Sequence, residues 1–402
     1  MAGNNNLSML TIDDRIREID AHCRRREYEE ALALAEDFID RFPDDPAGEI
    51  QKGLIFQRRQ QWEAAAVHWA AVRRKYPQHL DGYVHGVTSH RHQREYGAAL
   101  ALAEALIASF PDDPAGEIQK GLVFQHSQRW EAAIAHWETV RRKYPELFDG
   151  YLYGLVSCLA NTEYGRALVL AREACRLFPD ISAGPVQLGM IYMQCRDWSQ
   201  ALEQWRLCRA RFARHLAGYT QAVIAHCQNL EYLKAVEVAE SAIKLFPGRP
   251  DGPAMLAGVY MHRRQWREAA RLWRSIRKKY PDHLPGYVRG LAALRAAGDL
   301  DQAETLAAET LRLFPDEPDG HVQQAELFMN RGDHQGAARY WAFIRQRFPG
   351  HPAAYDRGVA ALLKQGEDRL AARLAVQSIL LMPARGLGYQ ILAEAHHVRE
   401  IL

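Results

Sequence analysis

The sequence predicts an all-α solenoid of stacked helix-turn-helix repeats, and three observations predict it. Prolines recur on one 34-residue grid, at Pro43, Pro77, Pro111, Pro145, Pro179, Pro247, Pro281, Pro315, Pro349 and Pro383, and only the slot at Ala213 is filled otherwise. The segment 42–65 returns at 110–133 with 20 of its 24 residues unchanged. Setting each grid proline as position 32 of its unit gives eleven units over residues 12–385, and position 20 is then alanine in every one, from Ala31 to Ala371. A fixed period kept without insertion marks units that bury their apolar faces on one another. An alanine at one slot throughout marks a place where two helices approach too closely for a larger side chain.

Each unit reads as two helices. The first opens on an acidic cap followed by proline, as in Asp45-Pro46 and Asp113-Pro114, and carries apolar or small residues at positions 4, 8 and 11 of many units. The second begins near position 17 and repeats apolar residues at 17, 20, 24 and 27. It ends in cations before an aromatic-proline pair, as in Arg73-Arg74-Lys75-Tyr76-Pro77. Cations suit the negative end of the helix dipole, and the proline stops the helix. Residues 1–11 are expected to form a disordered tail. The segment 386–402, GLGYQILAEAHHVREIL, reads as a first helix without a second and is expected to cap the open end of the stack.

A second pattern has twice the period. All nine tryptophans fall in even-numbered units, four at position 17 and five at position 24: Trp69, Trp137, Trp205, Trp273 and Trp341. Odd units carry alanine at position 24 instead, at Ala35, Ala103, Ala171, Ala239, Ala307 and Ala375. Large against small in alternating layers lets facing surfaces interdigitate. The expected packing unit is therefore a 68-residue pair of repeats.

These slots resemble the tetratricopeptide repeat (TPR) family over essentially the whole chain, in the manner of bacterial multi-repeat proteins. The likeness rests on the small residue at position 8 of some units, the aromatic at position 17 of the first eight (Tyr28, Trp62, Tyr96, Trp130, Tyr164, Trp198, Tyr232, Trp266), alanine at 20 and proline at 32. It implies a right-handed superhelix of about eleven repeats, with first helices lining a concave face and second helices outside. The sequence departs from the family at position 4, which lacks its tryptophan (Glu49, Tyr83, Pro185, Pro253). It departs again at position 15, where glycine appears only as Gly298, Gly332 and Gly366.

A net charge of +2 argues against a dedicated nucleic-acid binder. Six cysteines (Cys23, Cys158, Cys175, Cys195, Cys208, Cys227) have no CxxC pair and read as buried thiols. Residues 1–10 lack the pattern of a secretory signal, and no apolar run approaches the roughly 18 residues of a membrane span. The simplest placement is cytoplasmic. No phosphate-cradling, nucleophile-elbow, zinc-protease or dinucleotide motif is present, so an enzyme, a cofactor and a metal are not expected. His85, His90 and His92 are dense, and 85 and 92 share a helical face, but a third ligand of the right type is lacking. The basic stretches at 73–76, 141–144 and 277–280 could stripe the outer face toward phosphate; the helix dipole explains them without a ligand.

The implied concave face is the better candidate for function. At about 100° per residue, positions 2, 6, 9 and 13 lie opposite the expected buried stripe at 4, 8 and 11. Position 6 runs Gln51, His85, Gln119, Tyr153, Gln187, Gln221, Met255, Arg289 and Gln323. Position 9 is mostly apolar through the first half, with Leu54, Leu122, Met190 and Ile224, and position 13 includes His126, Gln194, Gln228 and His262. Together these predict an apolar track bordered by amides and imidazoles, suited to an extended peptide or a helix. The Lys and Asn of the charged clamp of chaperone-binding family members are not reproduced at these slots. The leading expectation is a non-enzymatic scaffold for a protein or peptide partner. The alternatives are an accessory module of a bacterial polysaccharide or glycosyltransferase system, by likeness of the FPDxPAG/DGY phrasing, and a nucleic-acid binder using the outer stripe. Self-association stays open.

Overall fold

The computed structural model of the protein describes residues 11–381, and among them it has 22 α-helices and no strand. Residues up to Cys195 and residues from Arg196 onward form two compact units. The first contains α1 (Ile12–Arg25), α2 (Tyr28–Arg41), α3 (Pro46–Arg58), α4 (Trp62–Lys75), α5 (Leu80–His92), α6 (Tyr96–Ser109), α7 (Ala115–His126), α8 (Trp130–Lys143), α9 (Phe148–Ala160), α10 (Tyr164–Leu177) and α11 (Ala183–Gln194). The second contains α12 (Trp198–Arg211), α13 (Leu216–Gln228), α14 (Tyr232–Leu245), α15 (Asp251–His262), α16 (Trp266–Lys279), α17 (Leu284–Ala296), α18 (Leu300–Leu313), α19 (Pro318–Asn330), α20 (His334–Arg347), α21 (Pro352–Lys364) and α22 (Asp368–Leu381). Odd-numbered helices are the first of each repeat and even-numbered helices the second, so the fold is the expected all-α solenoid of helical hairpins. Of the expected tail, only Thr11 is described, and it caps α1: its hydroxyl accepts from the Asp14 N–H at 3.2 Å. The expected capping helix at 386–402 lies outside the described residues.

One turn recurs between the two helices of a repeat. In ten repeats the N–H of position 16 donates back to the carbonyl of position 11, as Gln61 to Phe56 at 2.9 Å, and position 15 is left-handed. Glycine fills it only at Gly298, Gly332 and Gly366; elsewhere the same backbone carries side chains, including Thr162 (φ 61°) and Leu230 (φ 60°). The departure from the family at position 15 is thus one of side chain and not of turn.

Position 24 organises the core. Trp69, Trp137, Trp205 and Trp341 are fully buried. The room for Trp69, Trp137 and Trp341 comes from position 8, which is Gly53, Gly121 and Ala325 in their repeats but Ile19, Val87, Leu155, Val223, Leu291 or Val359 in odd ones. A Cβ on Gly53 would stand 2.4 Å from the Trp69 ring, and one on Gly121 would stand 2.3 Å from Trp137. The size pattern at position 24 is therefore mirrored at position 8, small where the other is large.

A second device locks each even repeat to the next. Arg73, Arg141, Arg209, Arg277 and Arg345 donate from Nη1 to the carbonyls of Gly82, Gly150, Gly218, Gly286 and Ala354 at 2.8–3.2 Å. Four of these guanidiniums lie over Tyr83, Tyr151, Tyr219 and Tyr287, 5.6–5.8 Å from the ring centroids. Burial lowers the pKa of each arginine, which still stays cationic. Glycine on the next first helix admits the head group: a Cβ on Gly154 would meet Arg141 Nη1 at 2.3 Å.

Two stability tests follow from these contacts. Gly121→Ala overpacks the seat of Trp137 and is expected to cost about 1–3 kcal/mol, measured by urea unfolding. Thr162→Gly relieves a β-branched side chain from the left-handed region and is expected to stabilise by about 1 kcal/mol in the same assay.

Candidate protein-binding groove

Within each unit, first helices pack on the first helices of the next repeat, as α5 on α7 and α17 on α19, so each unit has an inner row of first helices. The expected groove residues divide by position along this row. Position 13 is open: His126, Gln194, Gln228 and His262 are exposed, as are Arg58 and His92. Position 9 is partly open, with Leu54, Leu122 and Met190 half-buried and Ile224 exposed. At position 6, Arg289 is exposed and His85, Tyr153, Gln187, Gln221 and Gln323 are half-buried.

Three position-6 residues differ from the expectation of an open face: Gln51, Gln119 and Met255 are buried. Position 6 lies on the seam between successive first helices. Across that seam reaches position 12, a row that sequence reasoning missed. Gln57 donates to the His85 carbonyl and to Ser89 Oγ, both at 3.0 Å, and Gln125 does the same to the Tyr153 carbonyl (2.9 Å) and Ser157 Oγ (2.8 Å). Arg295 spans three residues of the next repeat: Nε to Asn330 Oδ1 at 2.7 Å, Nη1 to Gln323 Oε1 at 2.6 Å and Nη2 to Glu326 Oε2 at 2.9 Å. The missed signal was spacing: position 12 falls three residues after position 9, on the same helical face.

In the second unit the inner face opens into a cavity of about 360 Å³ lined by Ile224, Met255, Met261, His262, Trp273 and Arg289, among others. It brings together four expected site residues, Ile224, Met255, His262 and Arg289. It exists because position 9 of this repeat is Gly258, where an added Cβ would meet nothing within 4 Å. The walls are mainly apolar; His262 and Arg289 are its exposed polar members. Cys227 also lines it, with its thiol pushed up to about 11 by burial, so it behaves as a small apolar surface rather than a nucleophile.

The histidine group does not converge. His85 stacks on Trp69 (centroids 4.8 Å apart), His92 stacks on Trp62 (3.9 Å, 5° between planes), and His90 Nδ1 lies 2.7 Å from the Glu95 carboxylate. The basic stretches are largely engaged as well. Their first cations, Arg73, Arg141 and Arg277, turn inward as described, and Lys143 and Lys279 donate to the Pro111 (3.3 Å) and Pro247 (3.1 Å) carbonyls one repeat back. No helix among the described residues is long and apolar enough to cross a membrane.

Hairpins of this length, stacked first helix on first helix around an inner face, define a helical-repeat interaction scaffold. Comparison with known proteins names the repeat. A family model described as tetratricopeptide repeat matches residues 50–114, 254–318 and 287–342. Among solved structures, the chain is similar to yeast Tom70, with a TM-score of 0.56 and 12% identity over 96% of this chain and 95% of that one. A tetratricopeptide repeat protein from Parabacteroides merdae ATCC 43184 matches with a TM-score of 0.47 and 12% identity over 58% of this chain and 92% of that one. At 12% identity the likeness to Tom70 is one of fold. A search of curated proteins found no match. The chain thus carries tetratricopeptide repeats over residues 50–114 and 254–342.

Stability is expected to respond to acid through buried imidazoles. His68 and His136 donate from Nε2 to the Glu49 and Glu117 carbonyls at 2.8 Å, and burial holds both pKa values below the ordinary histidine value. A lowered folded pKa means the unfolded chain binds the proton better. Their contribution is full above the unfolded value of about 6.5 and is lost as pH falls from there toward the folded value. Melting temperatures recorded between pH 7.5 and 5 should therefore fall less steeply in the His68→Gln/His136→Gln double variant than in the parent.

Proposed function

We propose that the inner faces of the two units bind a protein or peptide partner, and that the chain acts as a non-enzymatic scaffold. The observation that carries this reading is the cavity over Gly258. An apolar recess beside an exposed cation and an imidazole, left by a missing side chain, suits one apolar residue of a ligand whose neighbours are polar or acidic. A stacked-helix surface holds such a recess in place before the ligand arrives, which limits the ordering cost of binding. Cytoplasmic placement belongs to the same reading: Cys158, Cys208 and Cys227 are buried free thiols, which suit a reducing compartment.

Gly258→Leu is the direct test. It fills the recess with no contact to displace and raises helix propensity by roughly 0.5–1 kcal/mol, so the fold should be kept or strengthened. Affinity capture from native lysate should lose the partners retained by the parent chain, while Leu233→Ala, on the exposed side of α14, retains them. Unchanged capture by a folded Gly258→Leu protein would contradict the reading.

A further inference from the structure

Arg91, on α5, is a half-buried cation with no counterion. Its Nε and Nη1 atoms are buried and have no hydrogen-bond partner. Burial lowers its pKa and the Tyr153 phenol opposes this, and no carboxylate among the described residues stands among the causes. An unpaired charge in that position is costly, because removal from water is not offset by a partner.

Repetition within the chain shows what is missing. Arg295 occupies the same position 12 six repeats after Arg91, and there it is saturated by Gln323, Glu326 and Asn330 at positions 6, 9 and 13 of the following repeat. The residues at those three positions after Arg91 are Gln119, Leu122 and His126, all on α7. The carboxylate has become a leucine and the amide an imidazole. Gln119 Oε1, whose counterpart accepts from Arg295, is itself buried without a donor. Two groups whose counterparts bond in the later repeat thus stand unbonded here, and half-buried Leu122 stands where the carboxylate would be.

The surroundings add an apolar floor. His92, the next residue, is held below its ordinary pKa by burial and then by Arg91 and His126, so its imidazole carries little charge at neutral pH. Leu122 and Tyr153 pack on the cluster of Trp137, and the Tyr153 and Trp137 rings stack with centroids 5.2 Å apart.

We propose that the inner face at Arg91, Gln119 and Leu122 takes the side-chain carboxylate of an aspartate or glutamate in a peptide ligand, which supplies the counterion that Glu326 supplies to Arg295. The occupant is an acidic peptide segment, chosen by charge complementarity, with an apolar neighbour seated on Leu122 and Tyr153. The proposal rests on the groove reading above and adds the ligand chemistry to it.

The probe is a set of dodecapeptide pools with blocked termini, each with one residue type fixed at one position, so that no terminal carboxylate contributes. Binding is read by fluorescence anisotropy on the full chain. Pools with fixed Asp or Glu should bind the parent more tightly than neutral pools. Arg91→Gln should weaken the acidic pools by about tenfold or more while leaving neutral ones little changed, as expected for loss of a hydrogen bond to a charged group. Leu122→Glu places the carboxylate in cis, so it should also erase the acidic preference, and circular dichroism confirms that both variants are folded. An acidic preference that survives in either folded variant overturns the proposal. Neutral pools binding as tightly as acidic ones overturns it while leaving the groove reading standing, and absence of binding by any pool overturns both.

Discussion

The indole of Trp69 seated on Gly53, and of Trp137 on Gly121, is the contact on which the rest of the structure depends. It requires a glycine or alanine at position 8 of the same repeat and permits a bulky aliphatic at position 8 of the next, where position 24 is alanine. That exchange of size alternates from one hairpin to the next. The buried arginine at position 28 then ties each unit to its successor, because Gly154 and its equivalents leave room for a guanidinium over a tyrosine. The arrangement carries a cost: the indole N–H groups of Trp69, Trp137, Trp205, Trp273 and Trp341 are buried without acceptors. Ring burial on this scale outweighs an unmade hydrogen bond.

Because the scaffold uses positions 8, 20, 24 and 28, chemistry is left to the inner positions 6, 9, 12 and 13. There the repeats cease to be copies. Position 12 ties the seam through amides at Gln57 and Gln125 and through an ionic network at Arg295, and it presents thioethers at Met193 and Met261. At Arg91 the network has lost its acid. At Gly258 the row loses a side chain altogether and a cavity opens. A constant frame with a varied inner row is what a surface for an extended ligand requires.

The frame was legible in the sequence because it repeats: the proline grid, Ala31 to Ala371, and the alternation of Trp69 with Ala103 each announce a spatial constraint. The inner face was legible only in part. A single helical wheel places Gln51, Gln119 and Met255 outward, but it does not include the neighbouring first helix that closes over the seam. Nor could the dipole explanation for Arg73-Arg74-Lys75 say that its first cation turns inward, since that depends on Gly82 and Gly86 in the following helix. Gly258 carries its information by lacking a side chain, which no motif search registers.

The most direct measurement of the central claim is site-specific photo-cross-linking. A benzophenone side chain placed at His262, on the inner face, should yield covalent adducts with another polypeptide when the purified chain is irradiated in native lysate. The same group at Leu233, exposed on α14, should yield few. Adducts formed equally from both positions, or only from Leu233, would contradict an inner-face binding scaffold.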